Sequence, residues 1–178
     1  AEALYRRALD ARWRTLGPQH GHTLTSVNGL ANCLKDMGSH AEAERLYRHA
    51  LDVRQKTLGE GHPDTLTSYF NLAVLYHHMQ RFSTAEPMYK RVLEAQVRTL
   101  GEHHMHTLIT TNALANILHD QGKLQAAEPH YRTAAEGFQA AFGDRHPYAR
   151  EPLENLAALL RETGRHAEAN QIARRVRA

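Results

Sequence analysis

His62-Pro63-Asp64-Thr65-Leu66-Thr67-Ser68-Tyr69-Phe70-Asn71-Leu72-Ala73-Val74-Leu75-Tyr76 decides the fold. Leu66, Leu72, Ala73, Leu75, Tyr76 and Met79 recur at the spacing of one helical face. Pro63 cannot continue a preceding helix, and Asp64 or Thr65 is expected to cap the new one. The pattern breaks at Gln80-Arg81 and resumes over 82–100 as a second amphipathic stretch, with Ala85, Tyr89, Val92 and Leu93 turned inward. Gly101 ends it. The unit is a pair of helices joined by a short turn.

Working outward, the same unit returns every 42 residues: Gly17, Gly59, Gly101 and Gly143 keep this step. So do His20, His62, His104 and His146, and Tyr5, Tyr47, Tyr89 and Tyr131. Leu30-Ala31, Leu72-Ala73, Leu114-Ala115 and Leu156-Ala157 mark one place in each first helix. Gly38, Gly122 and Gly164 fall where the second repeat has Gln80-Arg81, and glycine suits the left-handed residue that ends a helix. The spacing predicts a lone second helix over 1–16 and helix pairs over 23–58, 65–100, 107–142 and 148–177. Residues 1–178 are read as a single array, because no linker-like stretch divides them. Pro87, Pro129 and Pro152 lie in or just beyond an opening turn and predict at most a mild bend. The chain opens inside a helical pattern and not on a methionine, so it is expected to be cut from something longer.

Composition narrows the function. A 42% hydrophobic share with 23% charged residues belongs to a folded chain and not a disordered tail. The formal charge of +3, from 22 basic and 19 acidic residues, gives polyanions only a weak, salt-screened pull. The apolar stretches are too short to span a membrane. The single cysteine, Cys33, excludes an internal disulfide and fits a reducing compartment, so a cytoplasmic location is expected.

The string Asn71-Leu72-Ala73 with Tyr76, then Ala85-Glu86-Pro87-Met88-Tyr89-Lys90-Arg91-Val92-Leu93 and Leu100-Gly101, resembles the 42-residue tetratricopeptide repeat of kinesin light chain and nephrocystin-3. The loop Leu58-Gly59-Glu60-Gly61-His62-Pro63 matches the extension that distinguishes this longer variant. The resemblance covers essentially the whole chain. It implies an all-α fold, a superhelical solenoid of antiparallel helix pairs, acting as a scaffold that binds an extended or helical protein segment in a concave groove. For a particular partner it is not specific.

Family geometry turns three positions of each first helix toward the groove, at i, i+4 and i+7, which also share one helical face. They are Asn28, Asn32 and Lys35; Phe70, Val74 and His77; Asn112, Asn116 and His119; and Glu154, Ala158 and Arg161. The amides of Asn28, Asn32, Asn112 and Asn116 can donate to and accept from a peptide backbone, with one large apolar side chain over Phe70 and Val74. Asn71 and Asn155 stand beside them and can bond across helices. Lys35, His77, His119 and Arg161 form a basic file suited to an acidic residue near an apolar one, and binding is expected to tighten on mild acidification. Asp36, Asp120 and Glu162 follow directly and oppose it.

Other chemistries fit less well. The loop histidines repeat once per hairpin, too far apart to share a zinc ion, so each is read as packing or hydrogen bonding at its own turn. Cys33 is expected to be a buried, inert thiol beside Leu30 and Leu34. Trp13 is expected to pack on an upstream hairpin. No nucleophile, phosphate-loop or metalloprotease motif is present, so no enzyme, cofactor or metal is expected. A homotypic assembly through the cut ends is the second reading. Single-stranded RNA binding is the third, and no nucleic acid is expected because only Phe70 offers a stacking ring.

Overall fold

The computed structural model describes residues 2–143 and 146–177. Among them are nine helices: α1 Glu2–Leu16, α2 Gly21–Asp36, α3 His40–Leu58, α4 Pro63–His78, α5 Phe82–Leu100, α6 Met105–Asp120, α7 Leu124–Phe142, α8 Pro147–Glu162 and α9 His166–Arg177. Each first helix starts one or two residues earlier than its apolar spacing suggests. The reason lies in the cap. His20, His62, His104 and His146 adopt extended backbone, and the Nδ1 of each accepts the N–H two residues on, at 3.1–3.3 Å. The expected caps Asp64 and Thr65 are inside α4, because the imidazole reaches the first free N–H groups before they can.

The turn from first to second helix has one geometry throughout. Arg81 N–H bonds to Tyr76 O at 2.8 Å and Gln80 N–H to His77 O at 2.8 Å, the paired bonds of a Schellman motif. Gly38, Gly122 and Gly164 supply the left-handed residue at φ 78°, 73° and 77°; Gln80 does so at φ 56° with a full side chain.

The chain forms two compact units, Ala1–Met88 and Tyr89–Ala178, with the division falling inside α5. In the first, α2 packs against α1 and α3, and α4 against α3 and α2. In the second, α7 packs against α6 and α8, and α9 against α8. Alanines make the close approaches: Ala31, Ala43, Ala50 and Ala73 in the first unit, and Ala115, Ala127 and Ala134 in the second, have no exposed surface. Tyr47, Tyr89 and Tyr131 are the large residues buried among them, and burial raises the pKa of all three phenols. Pro87, Pro129 and Pro152 each occupy the sixth position of an unbroken helix, where each removes a single ladder bond.

Second helices and the turns that lead into them are tied to one another by ions at equivalent positions. In the first unit Glu44 pairs with Arg48 at 2.9 Å and with Arg81 at 3.5 Å, while Arg81 lies 4.8 Å over the Tyr76 ring. In the second, Glu128 pairs with Arg132 at 2.7 Å and Arg165 at 2.7 Å, and Glu168 pairs with both arginines. Burial alone would raise Glu128, but the two arginines outweigh it and hold the carboxyl below its ordinary pKa.

Two expectations are corrected here. Trp13 stacks on His49 of α3, ring centroids 5.9 Å apart, so it finds its partner within the chain. Cys33 is half-buried, with Sγ 3.9 Å from Met37 Sδ, because its position on α2 turns it toward the helix end and away from the Leu30 and Leu34 core. Among the described residues no helix is long and apolar enough to cross a membrane, and no three His, Cys, Asp or Glu side chains converge to hold a metal.

Candidate functional site

In the first unit, α2 carries Asn28, Asn32 and Lys35 along one face. Asn28 is 7% exposed, and its Oδ1 is buried without a hydrogen-bond partner. Asn32 is exposed and accepts a 2.5 Å bond from the Tyr47 hydroxyl of the paired second helix. Lys35 sits with its stem covered and its ammonium 2.7 Å from Asp36, so much of its charge is spent next door. On α4, Phe70, Asn71, Val74 and His77 are all half-buried, and His77 meets the edge of Phe82 at 5.8 Å.

The second unit repeats this plan. Asn112 is 7% exposed; its Nδ2 donates to Glu151 at 3.0 Å while its Oδ1, like that of Asn28, is buried without a partner. Asn116 Oδ1 accepts from Tyr131 at 2.8 Å and from Asn155 Nδ2 at 3.0 Å. His119 is held between the Tyr131 hydroxyl at 3.3 Å and Glu162 at 3.0 Å. On α8, Glu154 is exposed and bonds to Arg150 at 2.8 Å, Ala158 is half-buried and Arg161 is exposed.

Two features follow from this geometry. The amides are not loose surface groups: Asn32 and Asn116 have their oxygens fixed by a tyrosine from the second helix, which sets the direction of their Nδ2 hydrogens. The basic file is partly neutralised, with Lys35 and His119 each paired to an acid and Arg161 exposed. Tyr47 and Tyr131 are the positioning residues that a reading confined to first helices misses. Their signal was present, since tyrosine recurs at this place as Tyr5, Tyr47, Tyr89 and Tyr131.

The model of the tetratricopeptide repeat family matches residues 22–97, 71–135 and 106–178. Among solved structures the chain is similar to a Podosopora anserina protein described as a kinesin light chain with nearly identical TPR-like repeats, at 25% identity and a TM-score of 0.76 over 99% of this chain and 83% of that one. A single-residue variant of that protein gives 24% identity and a TM-score of 0.79 with the same coverage. BtubC (BKLC) from P. vanneervenii gives 23% identity and a TM-score of 0.82 over 99% of this chain and 72% of that one. No curated protein matches the chain. With three overlapping matches running from residue 22 to the last, the chain belongs to the tetratricopeptide repeat family.

Proposed function

We propose that this chain is a cytoplasmic scaffold whose first helices hold a segment of a partner protein. The observation that carries the reading is the pair of unpartnered oxygens on Asn28 and Asn112, equivalent positions two repeats apart. A buried amide oxygen without a donor costs about 1–3 kcal/mol. Backbone N–H groups of a bound peptide are donors of the kind these oxygens lack. Asn32 and Asn116 add fixed donors on the same faces, and Phe70 with Val74 offers an apolar seat on α4. Because Lys35 and His119 already have acids beside them, an acidic residue in the ligand would be drawn chiefly to Arg161.

A peptide array probed with the wild-type protein tests the reading, repeated with Phe70→Ala and with Asn116→Ala. Loss of most recovered sequences in at least one variant is the expected result. Ligands that bind all three versions equally would overturn the assignment to first helices. Light scattering on the isolated protein distinguishes the alternative of homotypic assembly.

A further inference from the structure

Because the four repeats are copies, each position has internal counterparts, and one place departs from them in two ways at once. A recess of about 200 Å³ opens between α7, α8 and α9, floored by Ala135, Leu153, Leu156 and Ile172. Three periods earlier, the counterparts of Ala135, Leu153 and Ile172 are Leu9, Val27 and Leu46. There Leu9 and Leu46 pack against the cluster of Leu24, Val27, Ala50 and Val53. The position of Ala135 is leucine in the three preceding second helices, Leu9, Leu51 and Leu93, and arginine, Arg177, in the one that follows. Helix α7 has lost the side chain that fills the slot.

The second departure is on the rim. Asp10 and Asp52, counterparts of Glu136, pair with the base four residues on: Arg14 at 3.0 Å and Lys56 at 2.8 Å. Helix α7 has Ala140 at that place. Glu136 is exposed at the recess with no ion-pair partner among the described residues. Of the other charges there, Arg132 is paired with Glu128 and Glu168, and Arg175 donates to the neutral amide of Gln139.

We propose that this recess is a second docking site, separate from the amide-bearing first-helix faces, that takes one leucine-type side chain of a partner protein with a lysine or arginine beside it. The aliphatic group replaces the leucine that the three preceding second helices supply from their own chain. The basic group replaces the missing Arg14 or Lys56 counterpart. An apolar slot between helices binds by excluding water from its floor, and Glu136, the rim carboxylate without an arginine beside it, sets the orientation of the segment.

The probes are the capped dipeptides acetyl-Leu-Lys-amide, acetyl-Leu-Glu-amide and acetyl-Gly-Lys-amide, titrated into methyl-labelled protein while the resonances of Leu153, Leu156 and Ile172 are followed. Acetyl-Leu-Lys-amide is expected to shift these methyls saturably, and acetyl-Gly-Lys-amide to leave them in place. The lysine form should bind about threefold tighter than the glutamate form, the scale of one exposed ion pair. Glu136→Gln should erase that preference and keep the leucine dependence. Ala135→Leu should abolish the shifts without lowering the melting temperature, and Ala135→Val, a smaller fill, should weaken them. Phe70→Ala should change nothing, so this site and the first-helix reading fail separately. Methyls that do not respond to acetyl-Leu-Lys-amide, or that respond equally in Ala135→Leu, would overturn the proposal.

Discussion

Tyr131 donates its hydroxyl to Asn116 Oδ1 at 2.8 Å, and Tyr47 makes the same bond to Asn32 at 2.5 Å two repeats earlier. A buried second-helix residue therefore sets the orientation of a first-helix amide. Tyr131→Phe keeps the ring and removes the bond, which is worth about 1 kcal/mol. Urea denaturation should register that loss. Any peptide recovered on the array that depends on Asn116 should also bind several-fold more weakly, whereas a purely structural tyrosine would change stability alone.

Gln80 is the sole non-glycine residue at positive φ among the described residues, at 56°, where the other three repeats have glycine. The left-handed conformation costs an ordinary side chain about 1–2 kcal/mol. Gln80→Gly should accordingly raise stability by about 1 kcal/mol in a urea titration, after allowance for the larger entropy that glycine has in the unfolded chain. The reverse change, Gly122→Gln, should lower it by a similar amount.

Gly137 lies where α7 crosses Leu108 of α6, and a Cβ built there would come within 2.4 Å of the leucine Cδ2. Leu108 is fully buried, so its side chain would have to shift within a packed core. Gly137→Ala gains helix propensity of about 1 kcal/mol, yet overpacking of this kind costs about 1–3 kcal/mol. The expected outcome is a net loss of stability, read as a lower urea midpoint. The glycine serves close packing here and does not loosen the helix.

Acid should act in two windows. Burial, with a smaller contribution from Lys90, lowers the pKa of His130 below the ordinary imidazole value. The unfolded chain then binds a proton that the native state resists, so stability falls as pH drops through about 6.5. Glu128 and Glu168 have lowered pKa values, so the stability they contribute is present above the unfolded carboxylate range and is lost as pH falls through their folded values. Urea midpoints measured from pH 8 to pH 3 should show both declines, the upper flattened by His130→Gln and the lower by Glu128→Gln.

The fold was legible because a period of 42 residues exposes every helix and turn several times over. The lengths of 82–100 and the glycine-terminated turns needed no coordinates. The histidine caps were not legible, since imidazole caps a helix less commonly than the adjacent aspartate or threonine would. The candidate ligand surface was readable as a set of positions but not as a chemical state. That Lys35 is spent on Asp36, that Asn28 and Asn112 are sunk to 7% exposure, and that tyrosines orient their neighbours all depend on contacts between helices. Periodicity along a single helix does not encode such contacts. Ala135 and Ala140 show the converse: the departures were visible as letters, and only packing gave them meaning.

Photocrosslinking from the first helices tests the account most directly. Benzoylphenylalanine at Val74, on α4, and in a second preparation at Arg45, an exposed residue of the second helix α3, can each be irradiated with a peptide recovered from the array. The account predicts a strong crosslink from position 74 that excess unlabelled peptide competes away, and background labelling from position 45. Equal labelling from both positions, or labelling from position 45 alone, would contradict it.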